Sequence, residues 1–485
     1  MRMLIFGASG YIGTNLVPQL LLAQVPGLLL RASSRNSKVL EARAWQGVEL
    51  VQADALRPQT LGPALAGVDV AYYLVHSMAS GKGFDQLDLD AARNFAAAAV
   101  TAGVGRVIYL GGLIPPDSRS PHLRSRAATG EVLRSAGLPV IELRAGIIVG
   151  PGSAAFEVMR DLVNHLPVMI TPRWVRAQCS PIALSNLIRY LVEFGLSDSA
   201  QPAIYDVGGP AVVSYQQMML AIGRRTGKRP LIIPVPLLSP GLSSWWLRLV
   251  TSVPTPIAKA LIAGLEHDFV ADSSAIEQRC PQRLLSFEEA LDEVERVERD
   301  NAVPAQWVEG AFPIRDYNPA YGFYAKKAGG SAVSAASAAT CWRVVQTIGG
   351  DQGYFYLNPL WRLREFLDWC VGGKGLRHQR RDPARLRLGD VVDSWRVIGL
   401  QEERRLTLKF GMKAPGAGVL EFELEQQPEG CRVTATAYWH PAGVWGLLYW
   451  YALIPAHLVI FKGMTQAIAA QAEALQRAEQ GAGAG

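Results

Sequence analysis

The chain has 485 residues, 49% hydrophobic and 19% charged, a balance that excludes a disordered chain and allows a large buried core. At about 150 residues per domain, this length fits three domains or two large ones. The net charge of +6 is thin over such a length and excludes a strongly basic nucleic-acid arm. Cys179, Cys280, Cys341, Cys370 and Cys431 form no C-x-x-C pair. An odd count without that spacing argues against a disulfide framework or zinc ribbon and for a reducing, cytoplasmic compartment. The histidines show no metal-ligand spacing, so no metal is expected.

Met3 to Phe6 is a short apolar run that stops at glycine, and Tyr11 to Ala23 has helical spacing. Between them Gly7, Ala8, Ser9, Gly10, Tyr11, Ile12 and Gly13 read G-x-x-G-x-x-G. In a strand–turn–helix context, Gly7 allows the tight turn and Gly10 lets the backbone approach a pyrophosphate. Gly13 lets the helix pack on the strand. The helix then offers free N–H groups and a positive dipole end to the anion. Gly7, Ser9, Gly10, Tyr11, Ile12 and Gly13 are therefore the predicted cofactor loop; a merely structural turn is the alternative. Removing an N-terminal leader would destroy the loop, so no secretory signal is expected.

Leu28 to Leu30 begins a second strand, followed by Arg31, Ala32, Ser33, Ser34 and Arg35. A carboxylate at this place binds the ribose of NAD, whereas arginine accommodates the 2′-phosphate of NADP. There is no carboxylate. Arg31, Ser34 and Arg35 are predicted to take NADP, with NAD possible; one of the two arginines is expected to be an ordinary solvated residue. Val48 to Val51 makes a third strand, with Asp54 and Ala55 after it. Asp54 either accepts from the adenine amino group or caps a turn. A fourth strand, Val68 to Val75, ends at Leu74, Val75 and His76, where backbone would pass the ribose and His76 packs rather than reacts. An alanine-rich helix (Asp88 to Ala102) and strands at Val107–Leu110 and Val140–Leu143 complete the pattern. This alternation predicts an α/β, doubly wound parallel sheet.

From Pro151 helical stretches at Phe156–Leu166, Ile182–Phe194 and Tyr215–Thr226 alternate with proline-bearing loops. They predict a small substrate lobe, closed by an acidic amphipathic helix from Ser286 to Asp300. Residues 1–324 form this first domain. Residues 325–340 read AKKAGGSAVSAASAAT, small residues with no apolar period, and predict a flexible linker. Residues 341–480 form the second domain. Leu406–Phe410, Val419–Leu424 and Arg432–Tyr438 predict antiparallel strands, with turns at Pro415-Gly416 and Glu429-Gly430 and a long helix through Ala478. Lys374, Arg377, Arg380, Arg381, Arg385 and Arg387 cluster; a solvated loop paired with Asp390 and Asp393 is expected, an anion site the alternative. Nucleic acid is not an expected partner, since no aromatic-on-sheet motif accompanies the cluster. Gly443 to Phe461 is a run of 19 residues without Asp, Glu, Lys or Arg. Pro455 and His457 interrupt it. A buried helix is expected, with peripheral membrane contact as the alternative.

The glycine loop, the arginine-bearing end of the second strand and Asp54 resemble atypical short-chain dehydrogenases/reductases of the NmrA-like kind. Tyr109-Leu110-Gly111-Gly112-Leu113, His122-Leu123-Arg124-Ser125-Arg126 and Leu143 to Gly150 extend the resemblance to a bacterial two-domain family. In the second domain the matching runs are Leu360 to Arg364, Gly372 to Leu376 and Tyr449 to Leu453. Members join this oxidoreductase-like domain to a domain of unknown function. For that second domain the resemblance implies a helix-grip fold, a curved antiparallel sheet around a long C-terminal helix, a fold that often encloses an apolar cavity.

Such reductases use Ser or Thr, Tyr, and Lys four residues later, the lysine lowering the tyrosine pKa. At the matching place this chain has His122 and Arg126, and the serine position falls at Gly111-Gly112, which has no hydroxyl. Gly111, Ala145, Gly146 and Ile147 would lie beside the nicotinamide. Two readings stay open. His122 is a substitute proton donor with Arg126 as a fixed charge, or the site binds the dinucleotide without turnover, as NmrA-like regulators do; an ordinary surface histidine stands beside both. The expected function is an NADP(H)-dependent, oxidoreductase-like protein acting on or sensing a hydrophobic small molecule. A non-catalytic regulator and a membrane-surface adaptor are the alternatives.

Overall fold

The computed structural model describes residues 1–41, 43–76, 83–115, 120–197, 201–235, 250–251, 253, 257, 267–300, 323, 325–373 and 380–482. The chain divides into two compact units, Met1–Pro319 and Ala320–Gly485.

The first unit begins with β1 (Arg2–Phe6), α1 (Tyr11–Leu22), β2 (Leu29–Ser34), α2 (Ser37–Glu41), β3 (Val48–Gln52), α3 (Leu61–Leu65), β4 (Val70–Tyr73) and α4 (Phe84–Thr101). It continues with β5 (Arg106–Gly112), α5 (Pro121–Ser135), β6 (Val140–Ala145), β7 (Ile148–Val149), α6 (Ala154–His165), β8 (Val168–Pro172), β9 (Gln178–Cys179), β10 (Ile182–Ala183) and α7 (Leu184–Leu196). After β11 (Ala203–Val207) come β12 (Val213–Ser214), α8 (Tyr215–Arg225), β13 (Leu231–Val235), α9 (Ser274–Arg279) and α10 (Phe287–Arg299).

Seven strands form one sheet in the order β11-β6-β5-β4-β1-β2-β3, and every pairing in it is parallel. The apolar run of β1 explains its central place. Met3 and Ile5 join the core under α1 and α7, while Leu4 and Phe6 join the core under α4. A strand buried on both faces needs such an unbroken run. The chain leaves the β3 edge and returns at β4, beside β1. This reversal opens a crevice at the carboxyl ends of β1 and β4. The lobe beyond β6 pairs β7 with β10, β8 with β13 and β9 with β12. Its helix α6 is buried along nearly its whole length and carries Glu157, Arg160, Asp161 and His165 inside.

The second unit runs β14 (Lys326–Ser334), α11 (Ala338–Val345), α12 (Asn358–Cys370), β15 (Val391–Val392), β16 (Trp395–Gln401), β17 (Arg405–Phe410), β18 (Gly416–Gln427), β19 (Gly430–Pro441), α13 (Gly443–Ala452) and α14 (Ile454–Ala482). Its sheet, in the order β14-β19-β18-β17-β16-β15, is antiparallel throughout.

The expected linker is corrected here. Lys326–Ser334 is a nine-residue strand paired with β19, and α11 follows it. Its small residues answer to packing rather than flexibility. A Cβ on Gly330 would stand 2.7 Å from backbone of Phe461 and Lys462, so α14 crosses β14 at a distance that only glycine permits.

Two of the described members of the basic cluster find internal partners, while Arg385 and Arg387 are exposed. Arg381 pairs with Asp390, and Arg380 donates to the carbonyls of Gln346 and Ile348. Lys374 and Arg377 lie outside the described residues. The expected buried helix at Gly443–Phe461 is corrected in part. It breaks into α13 and α14 with a bend of 56°. Leu447, Trp450, Ile460 and Phe461 are buried, but Trp445, Leu448 and Leu458 are exposed.

Candidate dinucleotide and redox site

The glycine loop lies at the carboxyl end of β1. Gly7 has φ +96°, and its N–H and that of Ala8 both donate to the Ser33 carbonyl, at 3.1 and 2.9 Å. A Cβ on Gly13 would stand 2.6 Å from the Ala8 Cα, so α1 packs against its own loop. Gly10 caps α1 in an extended conformation, with no side-chain cap and no acid in the first turn. The helix start thus keeps N–H groups and a positive dipole end for an external anion. A dinucleotide fits these residues. Gly7, Ser9, Gly10, Ile12 and Gly13 form the cradle. Tyr11 opens α1 and contributes its backbone N–H to that first turn, while its side chain turns away. Its hydroxyl points to the lobe, where a Cβ on Gly150 would meet it at 2.6 Å, and burial followed by the Glu157 charge holds its pKa well above the ordinary value.

Arg31 is a second correction. Its guanidinium is buried, bonded to Glu49 and to the carbonyls of Pro63, Ala64 and Ala66. It caps the C-terminus of α3, where free carbonyls and the helix dipole favour a cation. The Ser34 hydroxyl is committed to Asn36, donating to its carbonyl at 2.6 Å and accepting from its N–H. Arg35 alone of the three presents an exposed side chain at the end of β2. Asp54 accepts from the Leu56 N–H at 3.0 Å, the turn-capping role, and the Ala55 carbonyl accepts from Asn94.

Leu74, Val75 and His76 follow β4 directly, and the Leu74 backbone and the Val75 side chain pack against Gly7. Gly111 ends β5 beside Glu142, a buried acid that pairs with Arg134 and Arg144. Ala145 ends β6, its carbonyl accepting from Leu113, and Gly146 lies under the Leu113 side chain. The Ile147 carbonyl accepts from Ile182 and so joins the sheet end to the lobe.

His122 and Arg126 stand one turn apart on α5, on one face. The Arg126 guanidinium donates to the Leu110 carbonyl at 2.6 Å and lies 5.8 Å over the Tyr109 ring. Desolvation, then the Arg126 charge, then His76 pull His122 down to about 3. Desolvation, then the Arg126 charge, hold His76 at the cleft below its ordinary value as well. The position of His122 in the first turn of α5 works in the same direction, since a helix N-terminus disfavours a cation. The structure therefore brings together His76, His122 and Arg126 from two separate segments. It adds Asp88, which accepts from Ser125 at 2.9 Å inside the protein. Asp88 carried no sequence signal beyond its place in a helix.

Both imidazoles are consequently neutral at neutral pH. Their ring NMR signals are expected to stay flat above about pH 5, and Arg126→Leu is expected to raise both pKa values. An inflection near 6.5 in the wild-type protein would refute this electrostatic account.

Residues 7–149 match a family model described as NAD(P)H-binding. Residues 330–464 match one described as a protein of unknown function, DUF2867. No curated protein matches the chain by sequence. Among solved structures, the Citrobacter sp. triphenylmethane reductase complexed with NADP(H) is similar at 20% identity and TM-score 0.50, covering 61% of this chain and 100% of its own. The NADPH-dependent quinone oxidoreductase of Escherichia coli, complexed with NADPH, gives the same four figures. A nucleoside-diphosphate-sugar epimerase from Staphylococcus aureus is similar at 14% identity and TM-score 0.51, covering 60% of this chain and 99% of its own. The N-terminal part of the chain thus matches an NAD(P)H-binding model and, separately, the part after it matches a DUF2867 model, while the solved structures share the fold of the first unit.

Proposed function

We propose that the first unit prefers NADP(H) to NAD(H) and exchanges hydride with a hydrophobic, conjugated, electron-poor molecule. One observation carries the reading. The end of β2 presents Arg35 and no carboxylate beside an uncapped α1 N-terminus. A guanidinium there attracts a 2′-phosphate that a carboxylate would repel.

A bound nicotinamide supplies the hydride. Arg126 is a permanent cation beside the end of β5 and stabilises negative charge that develops on a substrate. The lowered pKa values of His76 and His122 make both poor proton donors at neutral pH, and Gly111-Gly112 brings no hydroxyl. The substrate class follows: an acceptor whose reduced form is stable before protonation, with the proton taken from water. The quinone named for one of the reductase neighbours is of that chemistry. Leu113 and Leu123, whose side chains lie beside Gly146 and Gly112, make the surroundings apolar.

Calorimetric titration with NADPH and NADH tests the cofactor half. NADPH is expected to bind at least about tenfold tighter, and Arg35→Asp to abolish that preference, since one close charge is worth roughly 1–3 kcal/mol. If neither nucleotide binds, the reading falls. The non-catalytic sensor remains a second reading, favoured by Gly111-Gly112 and the neutral His122. NADPH that binds but is not consumed in the presence of a panel of quinones would decide for it.

A further inference from the structure

Helix α12 is built inside out. Its acids, Glu365 and Asp368, are buried, while Leu360, Leu363, Phe366, Leu367 and Trp369 are exposed at 41–55%. The inward acids have a reason. Glu365 lines a cavity of about 250 Å³ with Tyr354, Trp361 and Asp393, and Asp368 accepts from the Lys413 N–H at 2.6 Å. The outward apolar face has no such reason in water, where a helix of this length turns its apolar stripe inward.

The face continues beyond α12. Arg364 donates to the Tyr449 hydroxyl at 2.9 Å and its guanidinium lies against the Tyr449 and Phe410 rings, which ties α12 to α13. Trp445 and Leu448 on α13 are 72% and 53% exposed, and Leu458 in the first turns of α14 is 74% exposed. Charge is distributed one way. From Gly443 to Gln471 there is no acid at all, and with Glu365 and Asp368 inside, the exposed charges carried by or bonded to these helices up to Gln471 are cations: Lys462 on α14, Lys413, whose ammonium donates to the Val371 carbonyl at the end of α12, and Arg362 at the cavity rim. Among the described residues no single helix is long and apolar enough to cross a bilayer, and α13 and α14 are bent by 56° at their junction.

We infer that the second unit docks on the surface of a bilayer carrying anionic lipid through α12, α13 and the start of α14, without spanning it. Exposed tryptophans at the headgroup level, leucines just below and a cationic rim without acids are the composition that an anionic interface holds. A partner protein with an acidic rim would use the same charges, but a bent pair of helices free of charge for 19 residues is fitted to a continuous apolar medium rather than to a discrete groove.

The test is co-sedimentation of the full chain with vesicles of phosphatidylcholine alone and of phosphatidylcholine mixed with phosphatidylglycerol. The expected result is binding to the mixed vesicles, weaker binding to the neutral ones, and a loss of about tenfold or more in the double variant Trp445→Ser, Leu458→Ser. Leu231→Ser removes an exposed apolar side chain of the first unit and is expected to change nothing. Far-ultraviolet circular dichroism and the thermal melt, unchanged in all variants, report that both units are folded. Protein that stays in the supernatant overturns the inference, as does vesicle binding indifferent to the double variant. Self-association that the double variant abolishes, without vesicle binding, assigns the face to a second copy and overturns it equally.

Discussion

Gly10→Asp is expected to abolish dinucleotide binding while leaving the fold as stable as before, or more stable. Gly10 occupies the N-cap of α1 with φ −73° and ψ 170°, a conformation open to any residue. A Cβ there meets only the Gly7 carbonyl, at 3.2 Å. Aspartate is among the best N-cap residues, and its carboxylate would take the N–H groups of the first turn, contributing a few tenths of a kcal/mol over glycine, about 0.3 kcal/mol. Those same groups are the anion site. A carboxylate standing about 4 Å from a phosphate charge costs roughly 4 kcal/mol at an effective dielectric of 20, about a thousandfold in affinity. Calorimetry with NADPH and a thermal melt, run together, read the two effects. A variant that melts no lower and still binds NADPH with wild-type affinity would place the phosphates elsewhere. Gly13→Ala is the contrasting change, because its Cβ meets backbone at 2.6 Å; it should lose binding and stability together.

The contrast between these glycines shows what a sequence can carry. The spacing of Gly7, Gly10 and Gly13 encodes a local turn, and β1 and α1 form where the apolar runs place them. The parallel sheet was legible for the same reason, since strands buried on both faces have no polar alternation to confuse with a surface. Arg31 and Arg35 were not separable. They sit four residues apart in one segment, and what divides them is the C-terminus of α3, which arrives from a later stretch of chain to claim Arg31. The proximity of His76 to His122 likewise depends on the end of β4 and the first turn of α5 meeting in space, so a histidine read as packing shares the Arg126 field.

The second unit was harder to read for a different physical reason. Strand β14 has no apolar period because its partner across the face is a helix close enough to require Gly330. Small residues then mimic a linker. In α12 the apolar and acidic positions have helical spacing, but spacing fixes only the two faces, and inwardness must be supplied by what lies below. Here a polar cavity and the Lys413 backbone take the acids, and the usual assignment of faces is reversed.

Arg160→Leu is expected to destabilise the first unit by about 3–5 kcal/mol, the range for removing one partner from a buried ion pair. Arg160 is the cation between two acids, Glu157 and Glu298, and all three side chains are at most 7% exposed. Glu157 also accepts the Gly152 N–H at 2.8 Å. Burial first, with Glu298 adding, raises the Glu157 carboxyl to about 8 even against the pull of Arg160. The sign of the pH effect follows. A carboxyl whose folded pKa lies above its ordinary value stabilises the fold fully at low pH, and this contribution is lost as pH rises through the folded value. The wild-type unit should therefore weaken as pH climbs from about 4.5 toward 8. In Arg160→Leu the carboxyls lose the opposing cation, so the deficit should be small in acid and grow steeply toward alkaline pH. Adding Glu157→Gln, whose carbonyl can still accept from Gly152, should recover part of the loss and flatten the pH dependence, as coupled neighbours do. Hydrogen exchange of the α6 amides in the full chain reads this locally, independent of the second unit. A deficit under about 1 kcal/mol, constant across pH, would mean that Arg160 does not hold these acids.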